Sequence, residues 1–370
     1  MPPPSVSFDG PSMNPRLLLF GAMGCSLIAL STGAQTSTHQ LRGSSVAVYN
    51  LAGIVRVEAG SGDEVQIEVT RRGPDGARLR VESGPIRNRE TLRVVYPEGR
   101  LVYRGGTDSQ RGWREFRTTV RVNEDGTFDG GWDGFRGGRV EISSDGRGME
   151  AAADLRIRVP KGKALDLNLA VGEATVTNVE GDLTIDVHAA TVTTNGTRGR
   201  LSLDTGSGEV RVTDAQGELS LDTGSGNVTL ERISGPTLNL DTGSGRISAR
   251  GVEVEDLRLD TGSGRVSLLE VKTRDLSLDS GSGSVEIDLA GDVDQMSVDA
   301  GSGSITIGVP PSFGAEVDIE TGSGGIDVDV PISITRSGRR SLEGRIGDGR
   351  GRVGIETGSG GIRIRASASR

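Results

Sequence analysis

The sequence predicts an all-β chain, a parallel β-solenoid with coils of about 19 residues and a β-rich cap or insertion near its N-terminus. Three observations carry that prediction. The stretch LSLDTGSGEVRV, Leu201 to Val212, is written repeatedly, its acidic residue recurring at Asp204, Asp222, Asp241, Asp260, Asp279, Asp299, Glu320 and Glu356, at spacings of 18, 19, 19, 19, 20, 21 and 36 residues. Apolar and polar residues alternate within each copy, as strands with one buried face require. A Gly-Ser-Gly corner separates two such strands in every copy, and a period near twenty marks units that cannot bury their apolar face alone.

Counting from the acid, positions −3 and −1 hold Leu201 and Leu203, Leu219 and Leu221, Leu238 and Leu240, and so on to Val317 and Ile319. These form one strand per copy. Positions +6 and +8, such as Val210 and Val212 or Val285 and Ile287, form a second, and an aliphatic at +11 recurs in Ala215, Ile233, Val252, Val271 and Ala290. Ordering one coil costs more than its few buried aliphatics return, so only stacking is expected to stabilise it. Glycine takes φ > 0 without steric cost, which suits TGSG to a corner. Stacked corners place the aspartates in a column of like charge, which either corner N–H groups or a bound cation must offset; the first is expected, because the glycine-aspartate spacing of calcium-binding β-rolls is missing.

In chain order, residues 1–34 read as a signal peptide. Arg16 opens it, Leu17 to Leu30 is its apolar run, and Thr32-Gly33-Ala34 resembles a cleavage site before Gln35. A short membrane anchor, a true start at Met13 and lipid attachment at Cys25 are the alternatives. Cleavage would remove the single cysteine, and with it disulfides, cysteine catalysis and zinc-thiolate chemistry. The mature chain is then expected to be exported and not membrane-spanning, in the periplasm, at the cell surface or outside the cell. Its net charge of −9 argues against nucleic acid as a partner.

Residues 35–70 hold short alternating strands with turns at Gly53 and Gly60-Ser61-Gly62, a degenerate opening coil. Residues 71–150 break the rhythm and gather most of the chain's aromatics beside many arginines. They form either the cap over the open solenoid end or a contact region, for which Tyr103, Trp113, Phe116, Trp132 and Phe135 are the residues. The repeat domain spans residues 151–370. Two degenerate coils precede the first clean one, and the 36-residue spacing before Glu356 contains a loop or a diverged coil.

The residues offer little catalytic chemistry. DTGS at Asp204, Asp222, Asp241 and Asp260 resembles the aspartic-protease motif, but a 19-residue spacing leaves no room for a lobe between two copies. His39 and His188, the only histidines, have no evident partner. Gly-Ser-Gly corners lack the lysine and helix of a phosphate loop. No catalytic residue, metal site or cofactor is expected.

The segment ADLRIRVPKGKALDLNLAVGEATV, the serial LxLDTGSGxVxV coils and the ending LEGRIGDGRGRVGIETGSGGIRI resemble the bacterial "putative adhesin" family, a β-strand-repeat domain of unknown function. The resemblance covers roughly Ser45 to Arg365, and it implies a right-handed β-solenoid without an assigned reaction. The expected function is thus a non-enzymatic adhesin or structural surface protein, with an unknown protein or glycan surface as partner. The alternatives are an envelope-stress or signalling accessory that binds a protein, and a carbohydrate-active enzyme on a β-helix scaffold.

Overall fold

The computed structural model describes residues 35–97, 99–105, 116–128 and 137–367. Residues 1–34, read from the sequence as a signal peptide, lie outside these. The repeat copies pair as parallel strands in register: Leu201 lies beside Leu219, Asp204 beside Asp222, and Thr205 beside Thr223. The same register continues through Asp241, Asp260, Asp279 and Asp299. The inward residues of both strands, among them Leu203, Val210, Leu238 and Ile287, are buried in one continuous core. At the third inward position Ala215, Ile233, Val252 and Val271 are buried as well. Ala290 is a correction: it is exposed, because the ladder shifts so that Val271 pairs with Leu289, which is buried in its place.

The strand Ser45–Gly60 opens the stack. Val46 and Val48 pair with Leu165 and Leu167, whose strand Ala164–Thr177 pairs in turn with Leu183–Asn195 and so leads to the Asp204 coil. Beyond the opening strand, Val46 to Tyr49 pair with the strand Arg89–Val95, and Val55 to Gly60 pair with Ala152–Pro160. Antiparallel strands then follow, Arg80–Ile86 on one side and Val65–Arg72 with Gln35–Leu41 on the other. The turn from parallel to antiparallel pairing ends the stack at strands that run back on themselves.

At the other end the chain leaves its sequence order. The last copy, Gly351–Ser359, pairs with Gln295–Ser302 on one side and with Ala315–Thr321 on the other. The spatial order is Asp299, Glu356, Glu320, so the copy that closes the chain is an inner layer. The 36-residue spacing holds a hairpin, Ile332–Ser337 and Ser341–Ile346, whose second strand pairs antiparallel with Ala315–Thr321 and covers the outer side of the Glu320 coil.

The corners explain the fixed TGSG text. A Cβ on Gly245 would lie 1.8 Å from the carbonyl oxygen of Gly226, and its φ of +139° disfavours any other residue. The corner N–H groups belong to the ladder: Gly208 N donates to Ser225 O at 3.2 Å and Gly226 N to Ser244 O at 3.1 Å. They do not reach the aspartates. The expectation that corner N–H groups offset the carboxylate column is therefore corrected, because Asp alternates with the inward Leu and Thr and its side chain is directed outward. The adjacent Thr205, Thr223, Thr242 and Thr261 are buried, and Thr242 Oγ1 donates to Ser244 O at 3.4 Å.

Candidate binding surface

The alternation that buries leucine at −3 and −1 turns positions −4, −2 and 0 of the first strands outward. Strand pairing lines these up as ladders. Position 0 is the run of exposed acids from Asp204 to Asp299, continued by Glu356 and Glu320. Desolvation, and then the Asp204 carboxylate, raises the pKa of Asp222 above the ordinary value. Asp260 is raised by desolvation and then by Asp241 and Asp279. Both displacements have the same sign. Among the described residues no group of three or more His, Cys, Asp or Glu is placed to hold a metal ion.

Position −2 is a ladder of small or polar residues: Ser202, Ser220, Asn239, Arg258, Ser277, Ser297, Gly354 and Asp318. Over its C-terminal half lies a groove of about 1600 Å³, walled by Ile334 and its neighbours from the hairpin and floored by Ser277, Ser297 and Gly354. A smaller groove of about 310 Å³ shares Arg258 and Ser277 with it and follows the ladder back to Ser220. Both belong to one outward face. No aromatic residue lines either groove among the described residues.

Charge in the large groove is mostly self-paired. Arg258 holds Asp256 at 2.7 Å, Arg274 holds Asp294 at 3.1 Å and Arg345 holds Glu316 at 3.3 Å. Arg352 is exposed and makes no ion pair with a described residue, and Asp275 and Asp318 likewise stand without one. Ile334 is 55% exposed, the one large exposed hydrophobic side chain among the described residues.

The aromatic residues expected to form a contact surface fall elsewhere. Tyr103 is 3% exposed, which corrects its assignment to a surface: its ring belongs to the core, and burial pushes its hydroxyl pKa up to about 12. Phe116 packs partly buried against the same core. Trp113, Trp132 and Phe135 lie outside the described residues. Phe128, buried, meets Tyr49 edge-on at 5.5 Å and stacks on His188 at 6.5 Å, so this histidine has the partner its sequence neighbourhood did not reveal. The groove residues Gly354, Arg352 and Ile334 went unremarked in the sequence. The signal for them was there in VGIETGSG, where glycine stands at a position that other copies fill with a polar side chain.

A family model described as Toastrack DUF4097 matches residues 45–365, nearly all of the described fold. The chain belongs to this family. The Toastrack match thus takes in the opening strands, the irregular segment and all the coils. Three solved structures show lower similarity. A "putative adhesin" from Bacteroides fragilis is 13% identical, with 90% of this chain and 98% of that chain covered and a TM-score of 0.36. A "putative adhesin" from Parabacteroides merdae is 9% identical, covering 90% and 97%, with a TM-score of 0.31. A "putative cell adhesion protein" from Clostridium sporogenes is 10% identical, covering 90% and 99%, with a TM-score of 0.20. At these low scores the Toastrack match alone carries the assignment. No curated protein matches the chain. Among the described residues no helix is long and apolar enough to cross a membrane.

Proposed function

We propose that this Toastrack chain is a non-enzymatic, exported surface protein that binds an extended partner along the outward face of its first strands. The observation that supports this is the groove over the −2 ladder, open along several coils and floored by repeated small residues. Such a surface offers the same contact at each strand, a geometry suited to a chain-like partner rather than to enclosing a small substrate. Export rests on the apolar run from Leu17 to Leu30 and the small residues before Gln35.

The test is to probe broad glycan and protein arrays with residues 35–370, and to ask whether externally added protease removes the protein from intact cells of its source. Reproducible binding together with protease accessibility is the expected result. A chain that binds nothing on either array and is cleaved only after lysis would defeat the proposal.

A further inference from the structure

Gly354 is the residue in the groove that the fold does not explain. A glycine inside a strand weakens it, and commonly marks a bulge, a bend, or a place where another backbone or a ligand comes close. The other glycines within the solenoid strands have a local cause. At the corners a Cβ would strike the preceding coil, as at Gly224, 2.7 Å from Gly206 O, and on the second strand a Cβ at Gly308 would lie 1.8 Å from Asp288 Oδ1. At Gly354 a Cβ would meet nothing within 4 Å, and its φ is not in the left-handed region. It pairs in register with Ser297 on one side and Asp318 on the other, with no bulge in either ladder. A side chain there would occupy only the groove.

We propose that the groove over Gly354 is a binding site for a neutral, polyhydroxylated polymer, a polysaccharide chain without fixed charge. This rests on the surface-binding function proposed above and names its ligand. The lining has five arginines against six carboxylates, so a polymer of either charge would meet repulsion along its length. A peptide bound in extended form needs apolar pockets for alternate side chains, whereas Leu276, Met296, Val317 and Val353 of the lining are buried in the core and Ile334 is its one exposed large apolar side chain. Hydroxyl groups donate and accept at once, so a floor of serine hydroxyls flanked by guanidinium donors and carboxylate acceptors suits them at every step. Arg352, Asp275 and Asp318, without ion pairs of their own, are the groups placed to bond such hydroxyls. At about 1600 Å³ the groove exceeds the usual small-molecule pocket of roughly 300–1,000 Å³, in keeping with a polymer.

The experiment measures affinity of residues 35–370 for dextran, laminarin and soluble cellulose oligomers, with polygalacturonate, polylysine and an extended peptide library as the competing classes. Binding to at least one neutral glucan is expected, little changed between low and high salt. Gly354→Ile should lower that affinity at least tenfold while leaving the melting temperature unchanged or higher, since a β-branched residue replaces glycine in a strand. Gly354→Ala gives the smaller version of the same split, and Arg352→Gln should weaken binding several-fold. Binding that survives Gly354→Ile, or that favours polygalacturonate, polylysine or peptides, overturns the site while leaving a surface-binding protein in place. No binding to any of these, nor on the broad arrays, overturns both.

Discussion

The Tyr96 hydroxyl lies 2.8 Å from Asn50 Oδ1 and 2.9 Å from the carbonyl oxygen of Ala52, with Asn50 0% and Tyr96 6% exposed. Asn50 Nδ2 in turn donates to Ala153 O at 2.7 Å. The tyrosine after the strand Arg89–Val95 is thereby tied to the opening coil and to the strand Ala152–Pro160 in one buried network. Tyr96→Phe keeps the ring and removes the only proton the hydroxyl contributes, leaving two acceptors with reduced satisfaction. The expected cost is about 1–3 kcal/mol. Urea melts of residues 35–370 measure it, and an unchanged midpoint would mean that water takes the place of the hydroxyl.

Two glycine substitutions should part company. At Gly245 a methyl group would have to lie 1.8 Å from Gly226 O in backbone that L-residues avoid, so Gly245→Ala should cost at least about 2 kcal/mol, from left-handed strain and the steric clash together. At Gly354 the same methyl meets open space, and Gly354→Ala should be neutral or stabilising by up to about 1 kcal/mol, as expected where an alanine fits the native backbone. Paired thermal melts decide it. Equal losses at the two positions would show that the corner geometry is not what restricts Gly245.

Asp260 faces Asp241 and Asp279 across the ladder, and desolvation together with these neighbours raises its pKa. A carboxyl whose folded pKa lies above its unfolded value holds its proton more tightly when folded. It therefore lowers stability at neutral pH, and the loss is recovered as pH falls through the folded pKa towards the ordinary 3.8. Asp214 has the opposite sign: the hydrogen bond from Arg232 holds its pKa below the usual value, and the stability it contributes disappears as pH falls through that lower pKa. The difference between Asp260→Asn and the parent isolates the ladder. The variant should melt higher at pH 7, by a margin that shrinks towards pH 4 and with added salt. A lower melting temperature at pH 7 would indicate that the carboxylate is stabilised by its surroundings.

Much of this fold was legible because one rule repeats. Leu201, Leu219 and Leu238 sit at the same phase of the same text, so their common burial follows from strand alternation alone. The same sameness hid the order of the last layers: Glu320 and Glu356 open nearly identical strings, and either string fits beside the Asp299 coil. Ala290 was misplaced because counting along the chain cannot see a shifted ladder that puts Leu289 inward instead. The irregular segment gave up its composition but not its contacts. Phe128 packs on Tyr49 and His188, residues of two separate coils, and only long-range geometry brings these together. The groove was harder still to foresee, since its wall is a hairpin that folds back from the Glu320 coil over outward positions of earlier strands.

The layer order makes the sharpest prediction about stability. Ile355 lies in register between Val298 and Ile319, and Ile364 between Ile307 and Val328. In a stack that followed the chain, ending the protein at Arg350 would remove the outermost coil and leave Ala315–Thr321 resting on Gln295–Ser302. Here it removes the layer between them, so the Glu320 coil and its hairpin lose their parallel support and the Asp299 coil gains an unpaired edge. The truncated chain should keep its hydrogen-exchange protection from Ala164 to Leu289 and lose it across Ala315 to Ile346, with new protease cleavage in that span. Because repeat stability is a sum of neighbour terms, the damage should fade within one or two coils of the Asp299 layer. Retained protection from Ala315 to Ile346 would mean that the Glu320 coil docks directly on Asp299 and that the inner position of the last copy is not required.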